Sequence, residues 1–202
     1  MRAAAPQARG RVRIIGGVWR SRQIPVPAIA GLRPTPDRVR QTVFDWLGHL
    51  GPGRWQSLSG TRILDAFAGC GALGFEAASR GASEVHLLEN HPRALASLRH
   101  AKALLDATQV CVHAADALHF MDAVAVRGDR FDLVFLDPPF ASGLILPALE
   151  RAARCLAPHG LVYLEAARSW ESLHPGQAPT DFSVLRQARA GAVHYHLLQH
   201  RA

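Results

Sequence analysis

From Thr61 to Ala166 short apolar runs alternate with stretches of helical length, and this alternation limits what the chain can fold into more than any other feature. Strands are predicted near 61–67, 84–90, 110–115, 131–137 and 160–166, and helices near 71–80, 91–105, 117–126 and 144–157. Strands separated by helices run parallel, with the helices packed on both faces of one sheet. The pattern changes in "FSVLRQARAGAVHYHLLQH", where two strands meet at "ARAG" with no helix between them. An antiparallel hairpin is therefore expected at the end of the sheet. The predicted class is α/β, a doubly wound, seven-stranded, mostly parallel sheet.

Ahead of this region "RIIGGVWRSRQIPVP" gives two short β-like runs around Gly16 and Gly17, a small basic hairpin. Residues 1–10 are expected to be disordered, 11–32 to form the hairpin and 33–202 the main domain. The stretch "RPTPDRVRQTVFDWLGHL" carries a helix start, with Thr35 as N-cap, Pro36 at the first helical position and Asp37 at the positive end of the dipole. Val39, Val43, Trp46, Leu47 and Leu50 then share one face, and that stripe reads as core. "GPGRWQSLSG" reads as a loop.

At 202 residues the chain suits one domain with a small appendage and has no room for a second catalytic domain. The formal net charge is +7, carried by arginine almost entirely, since Lys102 is the sole lysine. Arginine suits phosphate through its planar fork. A bias toward arginine codons would give the same charge, so charge alone does not choose a partner. Cys70, Cys111 and Cys155 are widely spaced and contain no C-x-x-C pair, which indicates neither a disulfide framework nor a zinc knuckle. "MRAAAPQARG" lacks the apolar core of a signal peptide, and no apolar run reaches membrane-spanning length. A soluble cytoplasmic protein is expected.

Chemistry concentrates in two stretches. In "RILDAFAGCGALGFEAASR" a strand runs into Gly69, Gly71 and Gly74 in G-x-G-x-x-G spacing and then into a helix, and Glu89 closes the next strand. An acid there can accept both hydroxyls of a ribose. A nicotinamide dinucleotide and S-adenosylmethionine both suit this layout, and Asp65 separates them. At the strand tip a carboxylate repels a pyrophosphate but receives the ammonium of a methionine moiety. Asp116 ends the third strand where it can accept an adenine amino group, and it reads equally as the N-cap of the following helix.

The second stretch is "FDLVFLDPPF", a buried strand that stops on an acid, two prolines and a ring. Two prolines after a strand can simply end it. The acid, however, stands at the carboxyl end, where open α/β sheets bind ligands. An exocyclic amine on a nucleobase is a poor nucleophile and needs its N–H bonds polarised. Asp137 can accept one N–H and the Pro138 carbonyl the other, with Pro139 stiffening the turn and Phe140 stacking on a flipped-out base.

"DAFAGCGALG", "LLEN" and "FLDPPF" resemble motifs of class I amino-methyltransferases. With "RIIGGVWRSRQIPVP" and "GLRPTPDRVRQTVFDWL", the order from about Arg11 to the final strand resembles the bacterial RsmD family of 16S ribosomal RNA guanine-N2 methyltransferases. Cys70, where relatives often carry Ser, and Pro36, where Thr is common, are departures that do not touch the proposed chemistry. The resemblance implies a Rossmann-like methyltransferase fold and methylation of a guanine N2 amine in small-subunit RNA. It implies S-adenosylmethionine at Asp65, Phe67, Ala68, Gly69, Gly71, Glu89, Asn90, Asp116 and Ala117, leaving as S-adenosylhomocysteine. The base falls to Asp137, Pro138, Pro139 and Phe140, and RNA phosphates to Arg11, Arg13, Arg20, Arg22, Arg33 and Arg38. The expected partner is 16S rRNA within a 30S subunit or an assembly intermediate, with a monomeric enzyme, no membrane and no metal.

Cys111 and Cys155 read as core rather than as thiol nucleophiles. His194, His196 and His200 share a strand face and read as half-exposed, facing RNA, because three ligands along one strand make a poor zinc site. Arg33, Arg38 and Arg40 read as a solvated helix face, and the family resemblance equally places Arg33 and Arg38 at the mouth of the sheet. A nicotinamide oxidoreductase would have no use for Asp-Pro-Pro-Phe. An RNA-binding module with a decayed cofactor site would show lesions in the glycine loop or at Asp137, and there are none. Methyl transfer to DNA adenine or to another RNA stays open.

Overall fold

The computed structural model describes residues 8–51, 53–139, 143–173 and 181–201. Two strands, β1 (Ala8–Arg13) and β2 (Gln23–Pro27), form an antiparallel pair. Then follow α1 (Asp37–Gly48), the single turn α2 (Arg54–Ser57), β3 (Arg62–Asp65), α3 (Ala72–Ser79), β4 (Glu84–Glu89), α4 (Pro92–Leu105), β5 (Val110–Ala114), α5 (Ala117–Arg127), β6 (Phe131–Leu136), α6 (Ile145–Cys155), β7 (Leu156–Ala166), the short α7 (Trp170–Leu173), β8 (Phe182–Ala190) and β9 (Val193–His200). Seven strands make one sheet in the order β5-β4-β3-β6-β7-β9-β8. The first five are parallel, while β9 runs antiparallel to β7 and to β8. This is the expected doubly wound sheet with its antiparallel hairpin, closed by the two residues Gly191 and Ala192.

Each face has its own core. On one face Phe44 of α1, Phe75 of α3 and Leu98 of α4 join Ile63, Leu87, Phe135 and Tyr163 of the sheet. On the other, Met121 of α5 and Leu149 of α6 pack on Leu64, Val134 and Leu164. The alternation of faces along β6, with Leu133 and Phe135 on one side and Val134 and Leu136 on the other, is the period of two that a doubly covered strand requires.

The N-terminal hairpin shares the first of these cores through Val12, Ile14, Trp19, Ile24 and Val26. Its turn docks on α3. Val18 N–H donates to the Ser79 carbonyl at 2.8 Å, Trp19 N–H to Ser79 Oγ at 2.9 Å, and Ser79 Oγ donates to the Gly16 carbonyl at 2.6 Å. Gly17 has φ +74°, and a Cβ there would sit 1.8 Å from the Ser79 carbonyl oxygen, so neither the conformation nor the space admits a side chain. That contact explains the second glycine of Ile-Ile-Gly-Gly.

Beneath the turn lies a fully buried ion pair. Arg40 Nη1 is 3.2 Å from Glu76 Oε2, and both side chains have no solvent exposure. Glu76 also accepts from Ile15 N–H and Gly16 N–H, each at 2.8 Å, and from Arg80 Nε at 2.7 Å. The Arg40 guanidinium donates further to the Arg13 carbonyl at 2.8 Å, the Thr35 carbonyl at 3.2 Å and Asp37 Oδ1 at 2.6 Å.

Several expectations change accordingly. Arg40 belongs to no solvated face, because α1 turns Val39, Arg40, Val43, Phe44 and Leu47 inward. Trp46 and Leu50 are only partly buried against the core, and Trp46 stacks on Tyr195 at 5.3 Å. Thr35 does not cap α1; Pro36 holds that position without a side-chain cap, and Thr35 is buried. The first strand begins at Ala8, ahead of Arg11, while residues 1–7 lie outside the described part. The loop after α1 contains α2, and α6 gives way to β7 at Leu156, where a register shift opposite β6 brings the strand forward.

Removing one member of a buried pair leaves the other charge without compensation. Glu76→Ala and Arg40→Met are each expected to lower unfolding free energy by about 3–5 kcal/mol, measured by urea denaturation. A loss below about 1 kcal/mol, the scale of an exposed pair, would show that the network does not hold the hairpin.

Candidate active site

The sheet changes direction of growth between β3 and β6, which are hydrogen-bonded neighbours although α3, β4, α4, β5 and α5 separate them in sequence. Ligands of open α/β sheets bind beyond the carboxyl ends of the strands at such a point. Three acids converge there. Asp65 ends β3, Asp137 follows the last residue of β6, and Glu165 lies one residue from the end of β7.

All three are electrostatically stressed. Burial lifts the Asp65 carboxyl to about 7, opposed by the N–H of Gly74 and reinforced by the charges of Glu89 and Glu165. Asp65 Oδ2 accepts from Gly74 N–H at 3.0 Å. Burial also pushes Asp137 well above the usual carboxylate range, with Glu165 and then Asp65 adding to the shift. Glu165 rises for the same first reason, although the Tyr163 hydroxyl at 2.9 Å and the Thr35 side chain hydrogen-bond it. A cluster of carboxylates deprived of water favours an arriving cation or holds protons.

Sequence reasoning missed Glu165, Tyr163 and Thr35. An acid inside "LVYLEAA" at the carboxyl end of a strand was the available signal for the first.

The glycine loop is shaped by close packing. Gly71 has φ +81°, and a Cβ there would fall 2.6 Å from Phe75 and 2.7 Å from Leu98; one at Gly74 would fall 2.1 Å from Leu87. Glu89 fixes the loop from the neighbouring strand. Its Oε2 accepts from Gly69 N–H at 3.1 Å, and its Oε1 accepts from Asn90 and His91 N–H, both at 2.8 Å. A carboxylate has about four acceptor sites, so three backbone donors orient Glu89 and leave it acceptor capacity. Phe67 is half-buried and Ala68 buried between β3 and β4, where Ala68 N–H donates to the Leu88 carbonyl at 3.0 Å.

Asp116 is exposed and caps α5, with Oδ1 accepting from His119 N–H at 3.0 Å, and buried Ala117 begins that helix. Asp65, Glu89, Asn90 and Asp116 thus lie at or just beyond the carboxyl ends of three adjacent strands.

Beyond Asp137, Pro138 is buried and Pro139 exposed. Phe140 lies outside the described residues. The segment before α1 crosses the mouth of the sheet: Leu32 lies against Gly69, and Thr35 reaches Glu165. Exposed Arg33 and Arg38 flank that crossing. Arg11, Arg13, Arg20 and Arg22 are exposed on the hairpin and its turn. Arg13 pairs with Asp37 at 3.4 Å, and Arg22 donates to the Leu104 carbonyl.

The histidine face of β9 is corrected. β9 lies inside the sheet, between β7 and β8, and His196 is buried near Trp170, whereas His194 and His200 are half-buried. Burial lowers its imidazole below the usual histidine range.

The comparisons with known proteins agree with one another. The family described as "Conserved hypothetical protein 95" matches residues 12–199. The chain is 39% identical to "Ribosomal RNA small subunit methyltransferase D" of Escherichia coli (strain K12), covering 96% of this chain and 92% of that protein. It is 36% identical to the protein of the same name from Haemophilus influenzae, covering 96% of each. Among solved structures, "Putative methyltransferase yhhF from Escherichia coli" superposes with TM-score 0.79 at 37% identity, over 96% of this chain and 99% of that one.

The raised Asp65 value has a consequence for stability. Unfolded aspartate ionises near pH 3.9, whereas the folded group holds its proton to about 7. Between those values the folded state binds the extra proton, so Asp65 makes stability fall as pH rises from about 4 to 7, by up to about 1.4 kcal/mol per pH unit. Asp65→Asn is expected to remove one proton's share of that slope in urea melts taken across the range. An unchanged slope would contradict the assignment.

Proposed function

The chain belongs to the conserved hypothetical protein 95 family, the RsmD family that its motifs resemble, and on that premise we propose that it methylates the N2 amine of a guanine in 16S ribosomal RNA, using S-adenosylmethionine. The observation that carries the reading is the stressed acid cluster of Asp65, Asp137 and Glu165 at the switch point. A dinucleotide pyrophosphate would meet that cluster as like charge, whereas a methionine ammonium and a sulfonium relieve it.

The residues present fit the cofactor. Buried Asp65, held by the Gly74 N–H, would receive the ammonium, Glu89 the ribose hydroxyls and Asp116 the adenine amino group. The tight packing behind Gly71 and Gly74 lets backbone approach a ligand. When bound, S-adenosylmethionine supplies an electrophilic methyl group and leaves as S-adenosylhomocysteine.

The rest is done by the chain. Asp137 accepts one N–H of the guanine amine and the Pro138 carbonyl the other, which raises electron density on nitrogen and holds its lone pair in line. As the N–C bond forms, nitrogen becomes positive and gives one proton to Asp137. Its raised affinity for protons, sustained by Glu165, suits it to that task. Phe140 stacks on the base, as the resemblance implies. Arg11, Arg13, Arg20, Arg22, Arg33 and Arg38 grip phosphates around the mouth, with the RNA inside a 30S subunit or its precursor and the enzyme a monomer in the cytoplasm. No described helix is long and apolar enough to cross a membrane.

Calorimetry is expected to show binding of S-adenosylmethionine and none of NAD(P), with Glu89→Ala weakening it by about 1.5–3 kcal/mol. Below pH about 7 binding should weaken and release a proton from Asp65. NAD(P) binding without S-adenosylmethionine binding would overturn the cofactor.

Asp137→Ala is expected to slow single-turnover methylation of 16S rRNA or 30S particles by roughly 10²–10³ while sparing cofactor affinity. Mass spectrometry of the product should show N2-methylguanine. A well-folded Asp137→Ala of full activity would overturn the base-polarising role. Methyladenine in its place, in RNA or DNA, would favour the other amino-methyltransferase reading.

A further inference from the structure

On the α5 side of the sheet, two strands bring together three side chains with metal-binding chemistry. His86 of β4 pairs in register with Cys111 of edge strand β5, and His113, two residues further on, lies on the same face. Each offers one ligand atom, and these atoms lie within 4.8 Å of one another. The two imidazole planes are nearly parallel, at 8°, with His113 Nε2 3.0 Å from His86 Nδ1. We propose that His86, Cys111 and His113 form a binding site for Zn2+ that cross-links β4 to β5.

The surroundings resemble those of a metal site more than those of a packed core. His86 Nε2 lies 2.7 Å from Glu84 Oε1, and Glu84 Oε2 accepts from Arg62 Nε at 2.7 Å. With the Nε2 proton given to Glu84, the His86 Nδ1 lone pair points toward His113. Metal-bound histidines typically have this carboxylate partner on the far nitrogen.

The present hydrogen bond shows how little must move. Two nitrogens about 2.0–2.1 Å from a tetrahedral Zn2+ stand roughly 3.3–3.4 Å apart, a few tenths of an ångström beyond the observed separation. Binding replaces the shared proton: His113 carries its proton on Nδ1 instead, and the Cys111 thiol gives its proton to solvent. Phe120, with its ring 4.9 Å from that of His113, and Phe131, at 5.3 Å from His86, supply an apolar shell. Three protein ligands leave the fourth position to water.

The site is independent of the methyl-transfer reading, and its test measures metal. Tag-free protein, stripped with a chelator, is titrated with Zn2+ against a chromophoric competitor and, separately, with Co2+. One Zn2+ per chain is expected, with a Kd on the order of 1 µM or tighter, together with the intense visible bands of tetrahedral Co2+ and thiolate charge transfer. Cys111→Ser and His113→Asn should each weaken Zn2+ binding at least tenfold, and Cys111→Ser should abolish the charge transfer. Glu84→Gln should weaken binding by roughly 10–100-fold. Zn2+ should raise the Tm of the parent and not that of His113→Asn, whose metal-free Tm confirms folding should Cys111→Ser fold poorly. A Kd weaker than about 10 µM, an octahedral Co2+ spectrum, or binding unchanged in both ligand variants would overturn the proposal.

Discussion

The buried pair of Arg40 and Glu76 is the constraint on which the rest of the arrangement depends. Two charges removed from water cost several kcal/mol each unless their remaining donors and acceptors are filled. Here the Glu76 carboxylate takes two backbone N–H groups and two arginines, while Arg40 satisfies two carbonyls and Asp37. None of these partners can shift alone. The network fixes α3, which carries the glycine loop at its start. It also fixes α1, whose preceding segment lays Leu32 on Gly69 and Thr35 on Glu165. A hairpin that reads from sequence as an appendage is thereby tied to the geometry of the glycine loop.

The same pocket shows how stability and chemistry oppose one another. Asp65, Asp137 and Glu165 stand at the ends of three adjacent strands; beyond the effect of burial, Glu165 raises the proton affinity of both aspartates and Asp65 that of Asp137. Hydrophobic residues of similar volume there would relieve the fold of an electrostatic burden. Under the proposed function, a positive ligand at the switch point would lower that same energy.

Local periodicity made most of the fold legible. Strand and helix positions from β3 to β7, the closing hairpin and the G-x-G-x-x-G loop rest on short-range patterns, and each appears within a few residues of its expected place. What sequence could not provide was partnership across long separations. Arg40 looked solvated because its partner lies 36 positions away, and Thr35 looked like a cap because its true neighbour is in β7. His196 looked half-exposed because strand order within a sheet is not written in any one strand. His86, Cys111 and His113 fall on two strands whose register alone makes them neighbours.

The place of β9 has a further consequence. Joined to β7 on one side and β8 on the other, it seals the long apolar strand β7, whose residues Leu161 to Ala166 are all buried. Should β9 peel away, β8 leaves with it, and β7 becomes a bare edge with a row of unpaired N–H and C=O groups. Such an edge is a template for another strand. The hairpin of a second copy would satisfy it as well as the chain's own, so a strand held inside the sheet is also the one whose exposure would allow molecules to exchange hairpins and cross-link.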